Sequence, residues 1–144
     1  MISLLEQLKD FGQYLGGAEH EKCLIPLLIA FCKIDERIPA EKAVEQMIPI
    51  LNKNHDIILD TVKKLAKPEM VISKDCSARI IAAQIGNVSS NEVGPMLETY
   101  NTIVVHENPA VRKTGARHLK VFFSKNIFRN FYQIVVGIQN PRKR

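Results

Sequence analysis

A chain of 144 residues, 46% of them hydrophobic, 24% charged and 6% aromatic, suits one compact domain or a few stacked units and excludes a disordered tail. Its formal charge of +5 is uneven: residues 1–107 hold eleven Lys/Arg against fifteen Asp/Glu, whereas residues 108–144 hold nine Lys/Arg and no acid. A uniformly basic nucleic-acid binder is thereby disfavoured.

Apolar residues fall at helical spacing almost throughout. Leu4, Leu5, Leu8, Phe11 and Leu15 form one stripe, stopped by Gly16-Gly17 in the manner of a helix C-terminus. A helix over 19–33 carries Cys23, Leu24, Leu27, Leu28 and Phe31 around Pro26. Residues 34–39 break the pattern, and 40–52 resume it with Ala43, Val44, Met47, Ile48 and Leu51. Residues 56–66 present Ile58, Leu59, Val62 and Leu65, and residues 73–87 present Ala78, Ile81 and Ile85. Residues 90–105 follow with Val93, Met96, Leu97, Tyr100 and Ile103. Pro109 opens the next helix at a favoured first-turn position, continuing through Leu119 and Phe123, and an apolar stretch over 126–138 precedes the tail 139–144. Pro26 and Pro95 interrupt apolar stripes and are expected to kink their helices. No sustained two-residue alternation calls for a strand, so the predicted class is all-α, with eight helices on short connections.

A repeat runs through these helices. Every second helix has a small residue near its start, at Ser3, Ala43, Ser77 and Gly115, and a large apolar one eight positions later, at Phe11, Leu51, Ile85 and Phe123. The small residue permits close helix approach and the large one fills the same face. The uneven spacing of these units departs from the fixed period of tetratricopeptide arrays and favours HEAT-like helical pairs.

The segment Glu107-Asn108-Pro109-Ala110-Val111-Arg112-Lys113-Thr114-Gly115 resembles the HEAT intra-repeat signature. In order and spacing, Leu5-Glu6-Gln7-Leu8, Leu15-Gly16-Gly17, Cys23-Leu24-Ile25-Pro26 and Lys42-Ala43-Val44-Glu45 resemble the N-terminal repeats of the scaffold (A) subunit of protein phosphatase type 2A. The resemblance runs from about Leu4 to Phe123. Two repeats depart from the signature: its Arg is replaced by Ala40 and Lys74, and its Val by Pro39 and Ser73.

The resemblance implies a right-handed α-α superhelix of three to four helical pairs over residues 1–125, with a partial terminal repeat and basic tail over 126–144. It also implies a non-catalytic scaffold that binds B-type regulatory subunits through the turns inside each repeat. The ridge residues carried over are Asp35 and Glu36, then Glu69, Met70 and Val71, then Glu107 and Pro109. Met70 stands where that family favours an aromatic residue. Matches to the C-terminal repeats, which hold the catalytic subunit in that family, are absent, so direct catalytic-subunit binding is not expected. The chain reads as starting and stopping mid-repeat, a truncated scaffold with uncapped ends.

Enzyme chemistry finds little support. The sequence has no glycine-rich phosphate loop, G-x-S-x-G or H-E-x-x-H motif. Asp75, Ser77 and His118 make a triad only on paper, and His20 with Cys23 is a lone i,i+3 pair without the further ligands a metal needs; neither metal nor cofactor is expected. Arg112 is expected to pack its stem along the next repeat and pair with an acid there. Exposed turn acids also have a plain reading, as partners of a helix dipole. Cys23, Cys32 and Cys76 suit buried thiols in a reducing cytoplasm, and no basic leader or membrane-length apolar run is present. The run Arg142-Lys143-Arg144 leaves the nucleus open as a second compartment. A different class of function, a HEAT adaptor or nucleic-acid-associated repeat using the basic C-terminus, stands as the alternative; Phe128, Phe131, Tyr132, Ile134 and Val135 beside Arg129 could stack bases, but their helical spacing favours a buried face.

Overall fold

The computed structural model describes residues 2–11, 14, 16 and 18–124. The stretch 126–138 and the basic tail lie outside them, as do the side chains of Ser3, Phe11 and Phe123. The described residues form α1 (Ile2–Phe11), α2 (Ala18–Glu21), α3 (Ile25–Cys32), α4 (Arg37–Lys53), α5 (Ile58–Ala66), α6 (Val71–Gln84), α7 (Ser90–Val104) and α8 (Pro109–Ser124), and no strand occurs among them.

Helix boundaries follow proline chemistry. Pro26 does not kink a continuous helix: a 3-10 turn over Lys22–Leu24 separates α2 from α3, and Pro26 occupies the first turn of α3, where a missing N–H costs nothing. Pro39 likewise sits inside the first turn of α4, so that helix begins at Arg37, three residues before the position read from the apolar stripe. Pro49 and Pro95 lie within α4 and α7, which continue through them. The Thr99 hydroxyl donates to the Pro95 carbonyl at 3.0 Å.

The helices alternate between two layers. In one, α1 packs on α4, α4 on α6 and α6 on α8; in the other, α3 packs on α5 and α5 on α7. Sequential partners α3–α4, α5–α6 and α7–α8 join the layers, giving a HEAT-like helical solenoid. The core lies between them: Leu28, Met47, Leu51, Ile58, Leu65 and Ile81 are fully buried, each such side chain stabilising the fold by about 1.5–3 kcal/mol. Cys32 and Cys76 are buried, and hydrogen bonding to Cys32 together with burial pushes the Cys76 thiol up, so it stays protonated. Cys23, in contrast with the expectation of three buried thiols, is exposed.

The small residues mark close approaches. Ala43 and Ser77 are completely buried, and the Ser77 hydroxyl donates to the Val62 carbonyl on α5 at 2.7 Å. At Gly115 an added Cβ would stand 3.0 Å from Val104 Cγ2 and 3.3 Å from Ile103 Cγ2. Tyr100 reaches across the same contact and donates its hydroxyl hydrogen to the Gly115 carbonyl.

Candidate interaction ridge

Because the layers alternate, the α3–α4, α5–α6 and α7–α8 turns all emerge along one edge. In the first turn, Asp35 adopts φ 66°, a left-handed conformation that Asp tolerates better than most residues. Glu36 is extended and exposed ahead of α4, flanked by the exposed apolar residues Ile34 and Ile38. In the second turn Glu69 is exposed, while Met70, extended at the start of α6, and Val71 are half-buried. In the third, Val105, Glu107 and Pro109 are exposed.

Hydrogen bonds make the third turn rigid and tie it to the second. Asn108 caps α8 by accepting the Ala110 N–H at 2.9 Å. Its own N–H donates to His106 Nδ1 at 3.0 Å. The neutral ring therefore carries its proton on Nε2, which faces Glu69 Oε2 at 3.0 Å. Glu69 also meets Lys74 Nζ at 3.4 Å. The hydrogen bonds from His106 and then Lys74 hold its carboxyl below the usual carboxylate range.

Arg112 does not pair with an acid of the following repeat among the described contacts. Its guanidinium turns back and donates to the carbonyls of His106 at 2.7 Å and Glu107 at 2.9 Å, closing the turn from which its own helix starts. Lys74, at the equivalent signature position, does the same for the previous turn by donating to the Ala66 carbonyl at 2.7 Å. Ser73, in place of the signature Val, is buried and donates to the Leu65 carbonyl at 2.6 Å. At this repeat the serine and the lysine together meet two carbonyls at the C-terminal end of α5.

A second constellation was not anticipated as a unit. Asp75, on α6, meets His118 Nε2 through Oδ1 at 2.7 Å, and its Oδ2 lies 3.7 Å from Arg37 of α4 and 3.9 Å from Arg117 of α8. Ser77 takes no part, being turned to Val62. The arrangement is an electrostatic clamp across three repeats, with no activated serine. Its sequence signal is a cation, an acid and a cation about one repeat apart.

These features define a chain of HEAT-type helical pairs. In sequence it is 24% identical over 127 residues to the beta isoform of the 65 kDa A-type regulatory subunit of serine/threonine-protein phosphatase 2A from Rattus norvegicus, covering 85% of this chain and 21% of the relative. It is 29% identical over 132 residues to the corresponding alpha isoform of Arabidopsis thaliana, covering 85% and 22%. It is 23% identical over 127 residues to the protein phosphatase 2A scaffold subunit of Dictyostelium discoideum, again covering 85% and 22%. The chain thus spans about a fifth of the length of these curated relatives. No family model matches it.

Proposed function

We infer that this chain is a non-catalytic protein-binding scaffold element that engages a B-type phosphatase regulatory subunit through the ridge of intra-repeat turns, in the cytoplasm. The observation that carries the reading is the common edge on which acidic and apolar side chains alternate: Ile34, Asp35 and Glu36, then Glu69 and Met70, then Val105 and Glu107. Such an edge offers apolar contacts for affinity and carboxylates for register. Similarity to phosphatase 2A scaffold subunits supports the same reading and supports its non-enzymatic character.

Binding of a purified B-type regulatory subunit to the chain tests this. Glu36→Lys with Glu107→Lys reverses two exposed ridge charges and leaves the strained Asp35 position alone. The expected result is an affinity at least about tenfold weaker, with unchanged helicity by circular dichroism. Equal affinity of the variant and the parent chain would overturn the ridge assignment.

A further inference from the structure

The layer formed by α4, α6 and α8 carries a cationic surface built from residues other than those of the ridge. Arg37 and Arg117 lie at 3.7 and 3.9 Å from the same Asp75 oxygen, too far for good hydrogen bonds. Their side chains stay 47% and 46% exposed while Asp75 is 13% exposed. Arg79 lines the notch between α4 and α6 together with Arg37, Glu41 and Asp75. On α8, Lys113, Arg117 and Lys120 recur at helical spacing, all exposed, and no acid occurs anywhere in that helix. Leu119 on α8 and Ile38 on α4 are exposed as well.

We propose that this face of α4, α6 and α8 docks an acidic, partly apolar peptide segment of a partner protein, its carboxylates bound by Arg37, Arg79 and Arg117 and by Lys113 and Lys120. A carboxylate is the group that Arg37 and Arg117 already share in Asp75, and Arg37 also lies 3.9 Å from Glu41; at these distances the planar guanidinium forks keep donors for a further carboxylate. Leu119 and Ile38 supply apolar seats at the margins. A nucleic-acid backbone fits less well, because Glu41 and Asp75 interrupt the cationic run that a chain of phosphates requires. Apart from Ile38, which also flanks the first turn, the surface uses different residues from the ridge, and substitutions at Lys113 and Lys120 leave the ridge untouched, so the two assignments stand or fall separately.

Fluorescence anisotropy of the full chain with a short fluorescein-labelled Glu/Leu peptide tests the proposal, beside a Lys/Leu peptide and a single-stranded DNA oligonucleotide. Saturable binding of the Glu/Leu peptide is expected, weakening as salt rises, with the Lys/Leu peptide unbound. Lys113→Glu with Lys120→Glu is expected to weaken it at least about tenfold, and the milder Lys113→Gln with Lys120→Gln about threefold. The mild pair keeps the test decisive should the charge reversal disturb folding. No binding of the Glu/Leu peptide, unchanged affinity in folded variants, or tighter binding of the DNA would overturn the proposal.

Discussion

At Asp75, three cationic or hydrogen-bonding groups from two neighbouring helices meet one mostly buried carboxylate. Removing the acid leaves Arg37 only Glu41 among the described residues and takes from Arg117 and His118 the carboxylate they share, a change that costs more than the intact cluster is worth. Asp75→Ala is therefore expected to destabilise the chain by about 3 kcal/mol in urea unfolding. Asp75→Asn, which keeps an acceptor for His118, should cost less. Equal losses from both substitutions would show that charge does not hold the clamp. Tyr100 carries a pH signature of its own. Burial raises its phenol from the ordinary value near 10 to about 12. Unfolding frees the group to ionise first, so its contribution is intact below pH 10 and is lost as pH rises toward 12. Tyr100→Phe removes the hydrogen bond to Gly115 at a cost of about 1 kcal/mol near neutrality and should flatten this alkaline limb. A limb of unchanged steepness would contradict the assignment. Neither arrangement was legible locally. Asp75 and His118 are 43 positions apart, and only the stacking of repeats brings them together. Ser77, which a triad on paper would need, donates to the Val62 carbonyl.

Helices were more legible than contacts, because the apolar period of each amphipathic segment is written within it. The boundaries of the second and third helical segments shifted at prolines. Pro26 and Pro39 look like breakers in an apolar stripe, yet both occupy first turns, where no intrahelical N–H bond is lost. The bonds from Arg112 back to the carbonyls of His106 and Glu107 were not legible in the sequence, since a long side chain can reach the next repeat or its own turn with equal ease. The contact of α7 with α8 depends on Gly115, and substitution there sets two effects against each other. Alanine gains about 1 kcal/mol of helix propensity, whereas its Cβ meets Val104 at 3.0 Å. Gly115→Ala should be nearly neutral. Gly115→Val adds two methyl groups to that gap and should lower stability by about 2–3 kcal/mol, as denaturant titration would report. A neutral Gly115→Val would mean that the helices separate freely. The same logic applies at Lys74, whose ammonium meets the carbonyl that ends α5. Lys74→Ala should cost about 1–2 kcal/mol in the same assay and Lys74→Arg close to none, while equal losses would contradict a capping role.

At the scale of the whole molecule, the acids and cations of the described residues mark two different surfaces. Acids and apolar residues lie along the turn ridge, and the cations of α4, α6 and α8 lie on the layer of second helices. The alternation of layers is what assembles three distant turns into one edge. It was legible in outline, from the repeat of small and large residues, because stacked repeats contact mainly their neighbours. The link from Glu69 to His106 was not, since it joins two turns whose sequences share no motif. Hydrogen exchange of the chain, free and then saturated with a B-type regulatory subunit, tests the ridge most directly. Engagement through the ridge predicts slowed exchange concentrated at 33–37, 67–71 and 105–109. Slowed exchange confined to the opposite edge, at 54–57 and 85–89, or an unchanged pattern at saturation, would contradict it.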